Sequence, residues 1–238
     1  MYIFYIQNFS GNIAILNETD SGHCIRVLRM RIGDPVNLTD GKGGFYEGII
    51  DSVNPRAVTV EITKKEQNYG AREYFLHVAI APTKNIDRFE WFIEKATEIG
   101  IDEITPLLCH RSERKNLRND RLEKILVSAI KQSVKAYLPV LNPMTGFDQF
   151  ISESVKGNKY IALCSHISRS DLIKTRNKLK TFTILIGPEG DFSQEETTSA
   201  LDKGFIPVSL GASRLRTETA GVVVCQIISD WNSIHKMK

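Results

Sequence analysis

The sequence has no apolar run long enough to cross a membrane. Its longest, such as F-T-I-L-I-G and A-G-V-V-V-C, fall far short of the roughly 18 to 20 residues that a span requires. Its four cysteines, Cys24, Cys109, Cys164 and Cys225, show no C-x-x-C spacing. That argues against a zinc site or a disulfide framework and predicts buried free thiols. Neither G-x-G-x-x-G after a first strand nor G-x-x-x-x-G-K-S/T occurs, which argues against a dinucleotide-binding dehydrogenase and a P-loop nucleotidase. His23, His77 and His110 stand alone, so no metal is expected. Cys164, Ser165 and His166 are adjacent, which sends their side chains to different faces, and no carboxylate partner accompanies them. The opening M-Y-I-F-Y-I-Q-N lacks a basic segment and a cleavage-like site, so no signal peptide and a cytoplasmic location are expected. No internal repeat or low-complexity tract is present.

What the 238 residues do contain is an ordinary globular balance, 42% hydrophobic with a net charge of +3. Such a weak positive excess permits a nucleic-acid partner without demanding one. Up to about residue 65 the apolar residues alternate with period two: Y-I-F-Y-I, N-I-A-I-L, P-V-N-L-T, F-Y-E-G-I-I and A-V-T-V-E-I-T. This pattern predicts a small β-barrel or sandwich. D-G-K-G-G (40–44) predicts a hairpin loop whose glycines supply positive φ, and H-C-I-R-V-L-R-M predicts one short helix carrying Arg26 and Arg29. Polar residues 64–73 read as a linker between domains spanning 1–68 and 73–238.

After the linker, strand-length apolar runs alternate with helical patterns, which predicts an α/β domain with a mainly parallel sheet. Phe89, Phe92, Ile93, Ala96 and Ile99 recur at helical spacing, with Gly100 as a stop. A second helix is expected over 119–135, and Ser193 with Glu196 predicts a capping box for a third. The last helix places Ala220, Val223, Val224, Ile227, Ile228 and Trp231 on one face. In such sheets ligands bind beyond the carboxyl ends of the strands. That singles out L-C-S-H-I-S (163–168), I-G-P-E-G-D-F-S (186–193) and S-L-G-A-S-R-L-R-T-E-T-A (209–220).

Together with P-T-K-N-I-D-R-F-E-W-F-I-E-K-A-T-E-I-G (82–100), the last two stretches resemble the signatures of the RsmE-type 16S ribosomal RNA (uracil-N3) methyltransferases, of the SPOUT class. H-C-I-R-V-L-R-M-R-I-G-D with D-G-K-G-G resembles that family's amino-terminal PUA-like, RNA-binding module, so the resemblance covers nearly the whole chain in order. It implies a trefoil-knotted α/β domain, S-adenosylmethionine as methyl donor, 16S rRNA or the small ribosomal subunit as partner, and a homodimer. It also implies that Leu163, Ile186, Gly187, Glu189, Gly190, Ser209, Leu210, Gly211, Leu215, Arg216, Thr217 and Thr219 surround the cofactor. Arg216 and Glu218 become the reacting residues: a guanidinium suits the uracil carbonyl oxygens or a phosphate, and the carboxylate would orient Arg216 or accept the proton. Two clusters, Arg26, Arg29 and Arg31 and then Arg111, Arg114, Lys115 and Arg118, are the expected RNA contacts.

Three departures from the family pattern stand out. Asp191 replaces a glycine common in relatives, residues 1–25 hold no arginine, and Lys131 and Lys135 stand where an acid and an arginine are usual. Two other readings stay open: a SPOUT enzyme acting on a ribose or on tRNA, and a non-catalytic RNA-binding assembly factor.

Overall fold

In the computed structural model, which describes residues 3–7, 9–153, 157–164, 170–175 and 180–233, the period-two runs form six strands. These are β1 (Ile3–Tyr5), β2 (Phe9–Ser10), β3 (Ile13–Ile15), β4 (Pro35–Thr39), β5 (Phe45–Ser52) and β6 (Thr59–Glu66). They pair in the order β1-β4-β5-β6-β3-β2, antiparallel except where β1 joins β4. The sheet curls into a half-barrel around Phe4, Leu38, Tyr46, Ile50 and Val60, because alternation sends every second side chain inward. β6 continues through Glu66, where Lys65 and Glu66 pair with Tyr46 and Phe45. The first residues of the expected linker are therefore strand.

Asn17 caps α1 (Glu18–Gly22) by accepting from the Asp20 N–H, and the helix runs on into a π-helical turn, His23–Val27. Arg26 lies on that turn. Arg29 does not share it: its φ is 55°, and the expected single helix ends before it.

The chain divides into two units, residues 1–71 with 127–138 and residues 72–126 with 139–238. Within the first unit, D-G-K-G-G is more than a hairpin loop. Gly43 N–H donates to Ala136 O at 2.7 Å, Leu138 N–H donates to Gly41 O at 2.8 Å, and Lys42 bridges Tyr137 in antiparallel fashion. A Cβ on Gly43 would lie 2.6 Å from the Tyr137 hydroxyl oxygen, at a φ of 100°. The glycine is thus required both by the backbone and by the ring it receives. Lys131, the unusual cation, has its Nζ 2.5 Å from Asp20 Oδ1 and 5.8 Å from the centre of the Phe4 ring.

The second unit comprises β7 (Phe75–Ile80), α2 (Ile86–Ile99), β8 (Glu103–Leu108), α3 (Asn119–Gln132), β9 (Val140–Leu141), β10 (Thr145–Gly146), α4 (Phe147–Ser152), β11 (Asn158–Ala162), β12 (Ser170–Asp171), β13 (Thr181–Ile186), α5 (Gln194–Asp202), β14 (Ile206–Ser209) and α6 (Thr217–Ser233). The end of α3 packs with the first unit. It stops at Gln132 rather than 135, and Val134 follows at φ 53°. The strands run β10-β8-β7-β13-β11-β14-β12, with β9 also on β8, and all these pairings are parallel. β13, which follows β11 and β12 in the chain, lies in the middle of the sheet between β7 and β11.

Asn85 caps α2, which buries Phe89, Phe92, Ile93 and Ala96 against the sheet and α6. Ala220, Val224, Cys225, Ile228 and Trp231 of α6 are buried in turn, with Val223 and Ile227 half-buried. Burial pushes the Cys225 thiol up to about 12 and the Cys109 thiol up as well, so both are inert as nucleophiles. Cys164 departs from the expected burial and is exposed. Ser165 and His166 lie outside the described residues. No helix among the described residues is long and apolar enough to cross a membrane.

Candidate active site

Because the strands are parallel, their carboxyl ends share one edge, and the loops that follow β7, β8, β11, β13 and β14 gather there. Side chains stitch these loops together. Arg114 donates to Thr83 O at 3.1 Å and to Lys84 O at 2.7 Å, and Arg111 donates to Gly190 O at 2.7 Å. Glu189 accepts from the Lys84 N–H at 3.0 Å. The expected capping box of α5 is present, and Glu196 reaches further to accept from the His110 N–H at 2.7 Å.

In the loop after β13, Asp191 has a φ of 63°, a conformation that glycine enters freely and aspartate tolerates better than most residues. Its carboxylate accepts from the Phe192 N–H at 2.9 Å and from the Cys164 N–H at 3.1 Å. The acid that departs from the family pattern therefore joins the β11 loop to the β13 loop. After β14, the Ser209 hydroxyl donates to Gly211 O and accepts from its N–H. Thr217 donates to Gly187 O at 3.1 Å, which fixes the first turn of α6 on the β13 loop.

These loops enclose a cavity of about 450 Å³, within the range of small-molecule sites. Of the expected cofactor residues, Leu163, Ile186, Gly187, Glu189, Ser209, Leu210, Gly211, Leu215, Arg216 and Thr217 line it. Gly190 and Thr219 do not. Ala162, Cys164, Pro188, Asp191, Ala212, Ser213, Arg214 and Ala220 complete the wall; all but Ala162 fall in the three strand-end stretches that the sequence singles out, though none was named there as a cofactor contact. Leu163 and Ile186 are buried apolar walls, and Arg216 and Arg214 are exposed at the rim.

Glu218 is also absent from the lining. The residue is buried, 6% exposed, with Oε1 3.9 Å from Arg88 Nε and Oε2 without a hydrogen-bond partner. Of the expected RNA contacts, Lys115 is exposed, Arg118 pairs with Asp120 at 3.0 Å, and Arg111 and Arg114 tie loops as described. Arg26, Arg29 and Arg31 belong to the first unit and are exposed. Among the described residues, no group of three or more His, Cys, Asp or Glu side chains is placed to hold a metal ion.

The profile of a family described as an RNA methyltransferase domain matches residues 72–229, and that of an RNA methyltransferase PUA domain matches residues 16–63. The chain belongs to this RNA methyltransferase family. The methyltransferase is 34% identical over 206 residues to the ribosomal RNA small subunit methyltransferase E of Synechocystis, an alignment covering 83% of this chain and 66% of that protein. A Porphyromonas gingivalis structure described as a probable rRNA methyltransferase is 38% identical, with a TM-score of 0.92 over 99% of this chain and 100% of that one. A Legionella pneumophila methyltransferase solved with bound S-adenosylmethionine is 27% identical, with a TM-score of 0.84 over 96% and 97% of the two chains.

Proposed function

We propose that this methyltransferase transfers a methyl group from S-adenosylmethionine to nitrogen 3 of a uridine in small-subunit ribosomal RNA, acting as a homodimer. On this reading residues 1–68 form the RNA-binding module and 73–238 the methyltransferase module. The observation that carries it is the cavity of about 450 Å³ walled by the β11, β13 and β14 loops, whose lining includes the exposed Arg214 and Arg216. Its donor set fits the cofactor: Leu163, Ile186, Leu210 and Leu215 offer apolar walls for an adenine and an aliphatic chain, and the Ser209–Gly211 turn offers backbone polar groups. Bound there, S-adenosylmethionine supplies a methyl group activated by its positively charged sulfur.

The chain's own part is to position the acceptor and to stabilise charge. Uracil bears a proton on N3 that passes to solvent water as the N3–CH3 bond forms, so the attacking form carries negative charge on its carbonyl oxygens. Arg216, exposed at the rim, presents a planar fork of N–H donors suited to those oxygens. Thr217 holds the backbone beside Arg216 against Gly187, which fixes where that side chain leaves the chain.

Titration calorimetry with S-adenosylmethionine, paired with methyl-transfer assays on small ribosomal subunits, tests this reading. Arg216→Ala is expected to lower turnover at least a hundredfold, roughly the loss of one charge-stabilising donor, while changing cofactor affinity by less than about threefold. Equal losses would make Arg216 a cofactor-binding residue only, and an absence of cofactor binding by the folded wild-type protein would sink the enzymatic reading.

A further inference from the structure

Glu218 raises a physical problem that the cavity does not answer. It follows the two cavity-lining residues Arg216 and Thr217 in the chain, yet it is itself only 6% exposed and is not part of the cavity wall. A general base must come within hydrogen-bond reach of the proton it takes, and Glu218 does not border the cavity in the ligand-free chain. A buried carboxylate oxygen with no donor is also costly. What faces Glu218 is Arg88, 3.9 Å from Oε1.

Arg88 is itself anomalous. With Asn85 as cap, it occupies the third position of α2, where a cation opposes the helix dipole and helix stability would favour an acid. Its side chain is 43% exposed, so one side of the guanidinium lies against the buried carboxylate and the rest is open to solvent. The start of α2 and the start of α6 both lie at the carboxyl edge of the sheet, beside the cavity. Arg88 in the first turn of α2 thus faces Glu218 in the first turn of α6, and the solvent-exposed part of its guanidinium is free to bind an anion. Deleting the buried negative charge would leave the guanidinium repelled by both helix ends.

We propose that Arg88 binds a backbone phosphate of the RNA substrate, and that Glu218 is the positioning residue that holds Arg88 in place rather than the acceptor of the uridine proton. The proposal rests on the reading of the chain as an RNA-modifying enzyme and adds one contact and one role to it. The pair is 3.9 Å apart in the free chain and has room to tighten when the phosphate fixes the guanidinium.

The test is steady-state methylation of small ribosomal subunits purified from cells lacking the enzyme, across a salt series, with S-adenosylmethionine affinity measured in parallel. Arg88→Ala is expected to raise the KM for subunits about tenfold, to leave kcat and cofactor affinity within about twofold, and to reduce the slope of log KM against log salt by about 0.7 to 1, the signature of one lost phosphate contact. Arg88→Lys is expected to restore the salt slope and part of the KM. Glu218→Gln, which keeps the shape and removes the charge, is expected to shift KM in the same direction by a smaller factor. If Arg88→Ala does not fold, Arg88→Gln carries the same comparison. Unchanged KM and salt slope in the Arg88 variants, or a collapse of kcat at constant KM in Glu218→Gln, would overturn the proposal. Methyl incorporation by the wild type at a position other than uridine N3 would instead overturn the functional reading, and the KM comparison would still stand.

Discussion

Gly221 shows how closely one residue can couple the site to the core. A Cβ built there lies 2.4 Å from the Phe92 ring and 3.1 Å from Ile80 Cδ1, so α6 approaches α2 and β7 at a distance no side chain permits. Gly221→Ala is expected to destabilise the fold by roughly 1 to 3 kcal/mol, read as a lower urea midpoint at unchanged m-value, and to weaken cofactor binding because Thr217 and Ala220 move with the helix. At this scale the residue types of the site were legible in the sequence, since strand-end glycines, small polar residues and an arginine mark the cavity wall. Side-chain direction was not. Whether Glu218, one residue past Thr217, turns toward the cavity or toward α2 depends on how α6 is rotated, and Arg88 carries its meaning only once α2 and α6 are side by side.

Among the elements, long amphipathic helices and fully apolar strands were readable because a consistent period over many residues outweighs local exceptions. The capping box at Ser193 and Glu196 was equally readable, though not the second use of Glu196 in holding the His110 N–H. The two-residue strands β9, β10 and β12 are too short to show a period. The π-helical turn with Arg29 beyond it is set by packing over Cys24 and by a φ of 55° rather than by any propensity.

One strand-level network yields a pH prediction. His77 on β7 meets Thr105 Oγ1 at 2.7 Å and lies 3.7 Å from Glu103. Burial lowers its pKa, opposed by the Glu103 charge. A histidine kept neutral in the fold contributes stability that is fully present above its unfolded value of about 6.5 and is lost as pH falls through the lower folded value. Urea melts at pH 5 and pH 8 are expected to show a larger acid loss for the wild type than for His77→Gln. An equal loss would place the acid sensitivity elsewhere.

For the molecule as a whole, the sequence showed a β-rich beginning and an α/β remainder. It did not show that 127–138 packs with the first unit, because much of that attachment runs through two glycines, Gly41 and Gly43, and the Lys131–Asp20 ion pair rather than through an apolar pattern. Lys131→Met would leave the Asp20 carboxylate, 5% exposed, without its partner. It is expected to lower stability by about 2 kcal/mol, and adding Asp20→Asn should recover part of the loss. If Lys131→Met alone changes nothing, the pair is not what holds this segment.

The central claim concerns what is methylated. Small ribosomal subunits from cells lacking the enzyme, incubated with the purified protein and S-adenosylmethionine and then digested to nucleosides, can be assayed by mass spectrometry. The wild type is expected to form about one N3-methyluridine per subunit, a product nearly lost with Arg216→Ala. A methyl group on a ribose oxygen, or none at all from a protein that binds the cofactor, would contradict it.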